Sequence, residues 1–293
     1  MQHDVFFGTE ALTSGAVTPA SLRGTRFQRL LPNVYASASL APDLHLRSRA
    51  AYLWASGRGV LTGHSATELW SARCAPNDAL PELTIAGEHV RAPRGLRLHQ
   101  FEPADDERRC RFGVELTTPL RTAYDLARRG TLVDAVVAVD ALAGRFGFTP
   151  AELLTFAQRY PAARGTLRLP EIAALVEPAA GSAMETRLRL VLELAGLPRP
   201  EVQYPIVDER ARLVATVDLA YPEALAAIEY EGADHFTDLR VLRDGGRYTR
   251  LAALGWRVHR YFATDVYNRP EQIIDDMRKA LTTRVLPPQR RSA

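Results

Sequence analysis

The sequence predicts a multidomain α/β protein. Three observations carry that reading. A helix, turn, helix and hairpin pattern lies near the N-terminus, helical and strand-like segments mix without a repeat in the middle, and the last third reads α-β-β-β-α-β-α. Turn-rich stretches place the regions at about 1–59, 60–180 and 181–286, with 287–293 as a tail. A chain of 293 residues is long enough for two or three cores.

In the first region, Glu10 to Ser14 reads as a short helix closed by Gly15. Thr18 caps a second helix, with Pro19 at its first position, where the missing amide proton is not needed. Arg26 to Leu31 and Val34 to Ala36 read as strands around Pro32 and Asn33. That is the order of a winged helix-turn-helix. Between Val5 and Gly59 stand Arg23, Arg26, Arg29, Arg47, Arg49 and Arg58, against Glu10 and Asp43. This balance suits DNA phosphates, with Arg23, Arg26 and Arg29 as the contacts. It suits equally a small protein-interaction domain with a solvated basic face.

The middle region reads as an α+β adaptor. Ser65 to Trp70, Leu120 to Arg129, Leu132 to Leu142 and a segment from Pro150 are helical, and Glu82 to Ile85 is a strand. His64, His89 and His99 fall at no metal-ligand spacing. Glu177 to Gly181 reads as a linker.

In the last region, Ser182 to Ala195 is a helix with Leu188 and Leu192 on one stripe, stopped by Gly196 and Pro198. Strands follow at Glu201 to Val207, Leu213 to Tyr221 and Leu225 to Glu231. A helix from Asp238 to Leu254, a strand from Trp256 to Phe262 and a helix from Pro270 complete the order.

Asp218, Glu229 and Glu231 carry the chemistry. Residues two apart on a strand share a face, so Glu229 and Glu231 project together. A hairpin turning between Glu223 and Ala224 sets Asp218 across from Glu229, about 5 Å away. Carboxylates that close repel unless protons or a cation neutralise them. Mg²⁺, or Mn²⁺ in its place, suits a site of few carboxylate oxygens, where it activates water and clamps phosphate oxygens. His235 can orient or deprotonate that water. Gln203 can position water or phosphate, and Arg247 can meet a phosphate oxygen as a planar fork. Glu185 shares the apolar stripe of its helix, as an inward ligand would, yet Ser182 and Glu185 also have the spacing of a capping box. Arg247 has an alternative partner in Asp244 on one helical face.

Two resemblances add to this reading. Ala11, Leu12 and Gly15, the run Arg29 to Tyr35, and Ser65, Ala66, Leu69 and Trp70 resemble type IV abortive-infection antitoxin-like proteins. That likeness implies DNA binding through the winged helix. Further on come Ser182, Glu185 and Leu188, then Gln203, Asp218, Glu229, Glu231, Gly232 and His235. Asp244, Arg247, Leu251, Gly255 to Val258 and Arg260 to Phe262 complete the set. As an ordered run these resemble the very-short-patch-repair-like endonucleases of the PD-(D/E)XK superfamily. The resemblance implies a restriction-endonuclease-like αβββαβ core, Mg²⁺ dependence and action on DNA. It gives Asp218 with Glu229 or Glu231 metal-site roles and His235 a supporting one. Glu231 stands where the superfamily's signature lysine would, as an acid does in related members. It also replaces the branch's usual aspartate before the glycine, which lengthens the ligand's reach.

Composition sets bounds. A formal charge of +3 permits nucleic-acid binding without demanding it. Lys279 is the sole lysine, a usage that GC-rich coding explains as well as phosphate recognition does. No apolar stretch approaches a membrane span and no signal segment leads the chain, so a cytoplasmic protein is expected. Cys74 and Cys110 are too few for a cysteine-based zinc site. The reading is a cytoplasmic, metal-dependent DNA endonuclease docked by its N-terminal module on DNA or a partner protein. Its rivals are a DNA-binding regulator or antitoxin with an inactive nuclease fold, and a nuclease acting on RNA.

Overall fold

The computed structural model describes residues 4–87, 90–232 and 238–282, with the backbone alone described over 238–245. The chain divides into two compact units, 1–174 and 175–293, each mixing helices and strands. Among the described residues, no helix is long and apolar enough to cross a membrane.

In the first unit, β1 (Val5–Phe7) leads into α1 (Gly8–Thr13) and α2 (Pro19–Arg23), followed by β2 (Phe27–Leu31) and β3 (Val34–Ser37). Thr18 caps α2 reciprocally, its hydroxyl accepting from the Ser21 amide while Ser21 Oγ accepts from the Thr18 amide. The hairpin turns at Asn33, whose φ of 60° asparagine tolerates better than most residues. β1, three residues long, is too short for alternation to announce it, yet it pairs antiparallel with β3 and completes a sheet of order β1-β3-β2.

Next come α3 (Leu44–Trp54), β4 (Val60–Leu61), α4 (Gly63–Leu69), β5 (Glu82–Thr84), β6 (Arg97–His99), β7 (Arg108–Arg111) and β8 (Val114–Thr117). These strands form a second sheet, β6-β5-β4-β8-β7. Helices α5 (Pro119–Arg129), α6 (Leu132–Phe146), α7 (Pro150–Ala157) and α8 (Leu169–Leu175) carry the chain to the boundary. One core includes Val34, Ala50, Leu61, Leu83 and Leu116, so the stretches before and after Gly59 share it. His64 and His99 gather on buried Glu82, the first by its amide at 3.2 Å and the second by Nε2 at 2.7 Å. Gly63 lets that carboxylate approach, since a Cβ there would sit 2.5 Å from Glu82 Cδ. His89 lies outside the described residues. Both cysteines are free; burial pushes the Cys74 thiol up to about 11, whereas Cys110 is exposed.

The second unit opens with α9 (Ala183–Leu194) and an antiparallel set of β9 (Glu201–Val207), β10 (Leu213–Tyr221) and β11 (Ala226–Glu231). α10 (Asp238–Ala253) then supplies the crossover that a parallel strand requires, delivering β12 (Arg257–Phe262) beside β11. α11 (Ala263–Asn268) and α12 (Pro270–Thr282) end the described chain. The sheet order is β12-β11-β10-β9, and both faces are covered. On one, Leu188 and Leu192 of α9 and Ile273 and Met277 of α12 pack on Leu219 and Ile228. On the other, Leu251 of α10 and Trp256 pack on Val217 and Ala227.

Candidate active site

A regular strand sends residues two apart to one face. β10 breaks that rule at Asp218: Val217 packs into the core under α10, while Leu219 packs into the core under α9. β9 breaks it at the facing position, where Tyr204 joins the first core and Val202 the second. The device is visible in the backbone of Gln203, which has a φ of +50° in mid-strand. For a residue with a Cβ, that left-handed conformation costs about 1–2 kcal/mol. The pairs Val217 with Tyr204 and Leu219 with Val202 bracket the two switch residues and leave Gln203 and Asp218 opposite each other. The edge pair of the sheet thus turns one polar residue from each strand out of its regular alternation.

Gln203 joins the acids. Its amide nitrogen donates to Glu185 Oε2 at 2.8 Å, and its side chain also hydrogen-bonds Asp218. Glu185 sits in the first turn of α9. Ser182 Oγ accepts from the Glu185 amide at 3.2 Å as an N-cap, but the Glu185 carboxylate accepts from the Gly181 amide at 2.8 Å and from Gln203. Capping therefore explains the helix start, and the carboxylate is left for the site. Asp218 Oδ2 accepts from the Tyr230 amide at 2.8 Å. Burial first, then the charge of Glu185, push the Asp218 carboxyl up to about 6, against the pull of the Tyr230 amide, Arg247 and Gln203.

Glu229 and Glu231 project together from β11, as their spacing predicts: Tyr248 OH of α10 lies 2.7 Å from Glu229 Oε2 and 3.5 Å from Glu231 Oε1. Leu219 pairs with Ile228, so the next step of that register sets Asp218 beside Glu229. Two guanidiniums complete the arrangement. Arg247 Nη2 is in direct contact with Glu229 Oε1, and Arg260 Nε lies 2.6 Å from Glu231 Oε1. Neither pairing is readable from local spacing. Arg260 arrives because β12 runs parallel to β11 with Arg260 opposite Glu229, and Arg247 with Tyr248 arrives on the crossover helix.

The site thus unites Glu185, Gln203, Asp218, Glu229, Glu231 and Arg247, and adds Tyr248 and Arg260. His235 lies outside the described residues. Arg23, Arg26 and Arg29 belong to the other unit and are exposed on and beside the α2–β2 turn. Hard carboxylate oxygens are the right donors for a divalent cation. Their present arrangement is not: Glu229 spends its oxygens on Arg247 and Tyr248. Among the described residues, no group of three or more His, Cys, Asp or Glu side chains is set to hold a metal ion.

Two Mycobacterium tuberculosis proteins, described as uncharacterized protein MT2308 of strain CDC 1551 and uncharacterized protein Rv2248 of strain H37Rv, are similar to this chain. Each is 30% identical over 246 residues, which is 84% of this chain and 89% of the relative. No family model matches the sequence.

Proposed function

The chain belongs to one family with the two Mycobacterium tuberculosis proteins, and we propose that it is a divalent-metal-dependent nuclease that hydrolyses DNA phosphodiester bonds with its second unit. The observation that carries this reading is the pair Glu185 and Asp218, which Gln203 joins at the point where two paired strands switch faces. Strained backbone and crowded acids both cost stability, and such features cluster where a site needs them. The αβββαβ order of 183–262 and its likeness to very-short-patch-repair-like endonucleases support the same reading. Asp218 and Glu229 would hold Mg²⁺ or Mn²⁺, with Glu185 and Glu231 beside them. Such an ion supplies an activated water and neutralises charge on the phosphate. The chain's own part is positional. Gln203 holds Asp218 and Glu185 in register, the Tyr230 amide fixes one Asp218 oxygen, and the guanidiniums of Arg247 and Arg260 pair with Glu229 and Glu231.

In the first unit, α1, α2 and the β2–β3 hairpin, closed by β1, support a winged-helix reading. Exposed Arg23, Arg26 and Arg29 would meet phosphates there, and a partner protein is the alternative ligand for the same basic face. The second reading of the whole chain, a DNA-binding regulator whose nuclease fold is inactive, is favoured by one observation: Arg247 and Arg260 already neutralise the acids that a metal would need. Plasmid cleavage by the full chain with Mg²⁺ or Mn²⁺, beside an RNA substrate, separates these. Wild type is expected to nick or linearise the plasmid, and Asp218→Asn to lose cleavage at least a hundredfold while keeping its fold, as loss of a metal-site ligand implies. Metal-independent DNA binding without cleavage would favour the regulator.

A further inference from the structure

Glu229 already has a cation. It is 5% exposed, and both of its oxygens are engaged, one by Arg247 Nη2 and the other by Tyr248 OH at 2.7 Å. The same guanidinium lies close enough to Asp218 to act on its charge. The grip is one-sided. Arg247 Nε is buried with no hydrogen-bond partner, so the planar fork that makes arginine a good carboxylate clamp is only half used. Leu251 anchors α10 in the core, whereas the Arg247 side chain is 29% exposed at the end of a long flexible stem. The helix can therefore stay in place while the guanidinium leaves.

We propose that Arg247 is an internal stand-in for the divalent cation, holding Glu229 in the metal-free protein and giving it up when metal enters. This rests on the metal-dependent reading of the site and says how that site opens. A guanidinium and a doubly charged ion on one poorly hydrated carboxylate repel each other, so the two occupy Glu229 in turn. Metal entry frees a five-donor cation beside the site, where a phosphate oxygen is the ligand it suits best. Metal and substrate phosphate are then coupled through one side chain with two positions. Arg260 does not serve in this way, because its partner is Glu231 and it is carried on a strand of the sheet.

The test is Mn²⁺ binding to the full chain without DNA, followed by the spin-resonance signal of the free ion. Arg247→Met removes the competitor and should bind Mn²⁺ about tenfold more tightly than wild type, within the usual range of such couplings. Arg247→Lys keeps a cation and should stay within about threefold of wild type. Equal or weaker binding by Arg247→Met, with wild type binding measurably, overturns the stand-in and leaves the metal-dependent reading intact. Absence of Mn²⁺ binding in wild type and Arg247→Met alike overturns both. Should Arg247→Met fail to fold, the Nε–H resonance of Arg247 in wild type decides instead. It should shift in step with Mg²⁺ titration, and a resonance unmoved while Mg²⁺ binds would refute the exchange.

Discussion

Asp218 shows most directly how one residue can be kept against its own stability. An unfolded aspartate ionises near pH 4, whereas burial and Glu185 push this one up to about 6. Below about pH 4 both folded and unfolded chains hold the proton. Between about 4 and 6 the unfolded chain has lost it and the folded chain keeps it, so stability falls as pH rises; above that window the loss is complete and constant. A carboxyl raised that far costs the folded chain roughly 2–3 kcal/mol once it is ionised. Asn cannot ionise and escapes this loss. In metal-free buffer with chelator, Asp218→Asn should therefore gain on wild type by about that amount between pH 4 and pH 7, as read from urea melts of the second unit. Parallel pH profiles for the two proteins would mean that Asp218 ionises without strain. Gln203 carries the complementary cost in its backbone, with a φ of +50°. The backbone cost is not visible in the sequence; the crowding of Asp218 is read there from its place across from Glu229, whereas the acid that raises it, Glu185, comes from α9.

At the scale of elements, long periodic segments are legible and short ones are not. The limits of β9 and β10 follow from alternation and turn residues alone, and Thr18 and Ser182 mark helix starts because their hydroxyls meet amides that would otherwise lack a partner. β1, β4 and β6 have two or three residues each, too few for a period to register, so a sheet in the middle region reads as one isolated strand. The face switch at Asp218 and Gln203 is illegible for a different reason. It depends on one left-handed residue, which no pattern of apolar positions encodes. α5 shows how tertiary partners override what a helix face suggests. Arg121, 3% exposed, lies 2.8 Å from Asp125, which is 0% exposed, and also contacts Glu107, which is 1% exposed. Removing the guanidinium takes the buried cation from two buried carboxylates, although Arg128 and Arg129 still reach Asp125 and the half-exposed Arg159 still reaches Glu107. Arg121→Met should cost the first unit about 3–5 kcal/mol, well beyond an ordinary surface substitution. Thermal or urea unfolding of the 1–174 unit would read this, and a change under about 1 kcal/mol would show that the remaining arginines suffice.

Across the whole molecule, which pieces can fold alone is set by where cores close. The basic pattern ends near Gly59, which invites the thought that the first 60 residues could act alone. Their core does not end there: Val5, Val34 and Ala50 share it with Leu61, Leu83 and Leu116. A fragment of 1–60 would expose the apolar side of β3 and α3, and a core that small and incomplete does not stand on its own. The piece that closes its core is the unit 1–174. Expressed by itself, 1–174 should unfold cooperatively, whereas 1–60 should show neither a melting transition nor dispersed amide resonances. If docking on DNA belongs to Arg23, Arg26 and Arg29, the 1–174 unit should bind duplex with an affinity that falls steeply as salt rises. Replacing all three by Gln should flatten the dependence of log K on log salt by about 2.7, near 0.9 for each phosphate no longer neutralised. The 175–293 unit should keep metal-dependent cleavage but need more DNA to reach the same rate, since docking supplies local concentration and not chemistry. A 1–174 unit that folds yet ignores duplex DNA at low salt would assign the basic face to a protein partner, and would do so without touching the case for the acids of the second unit.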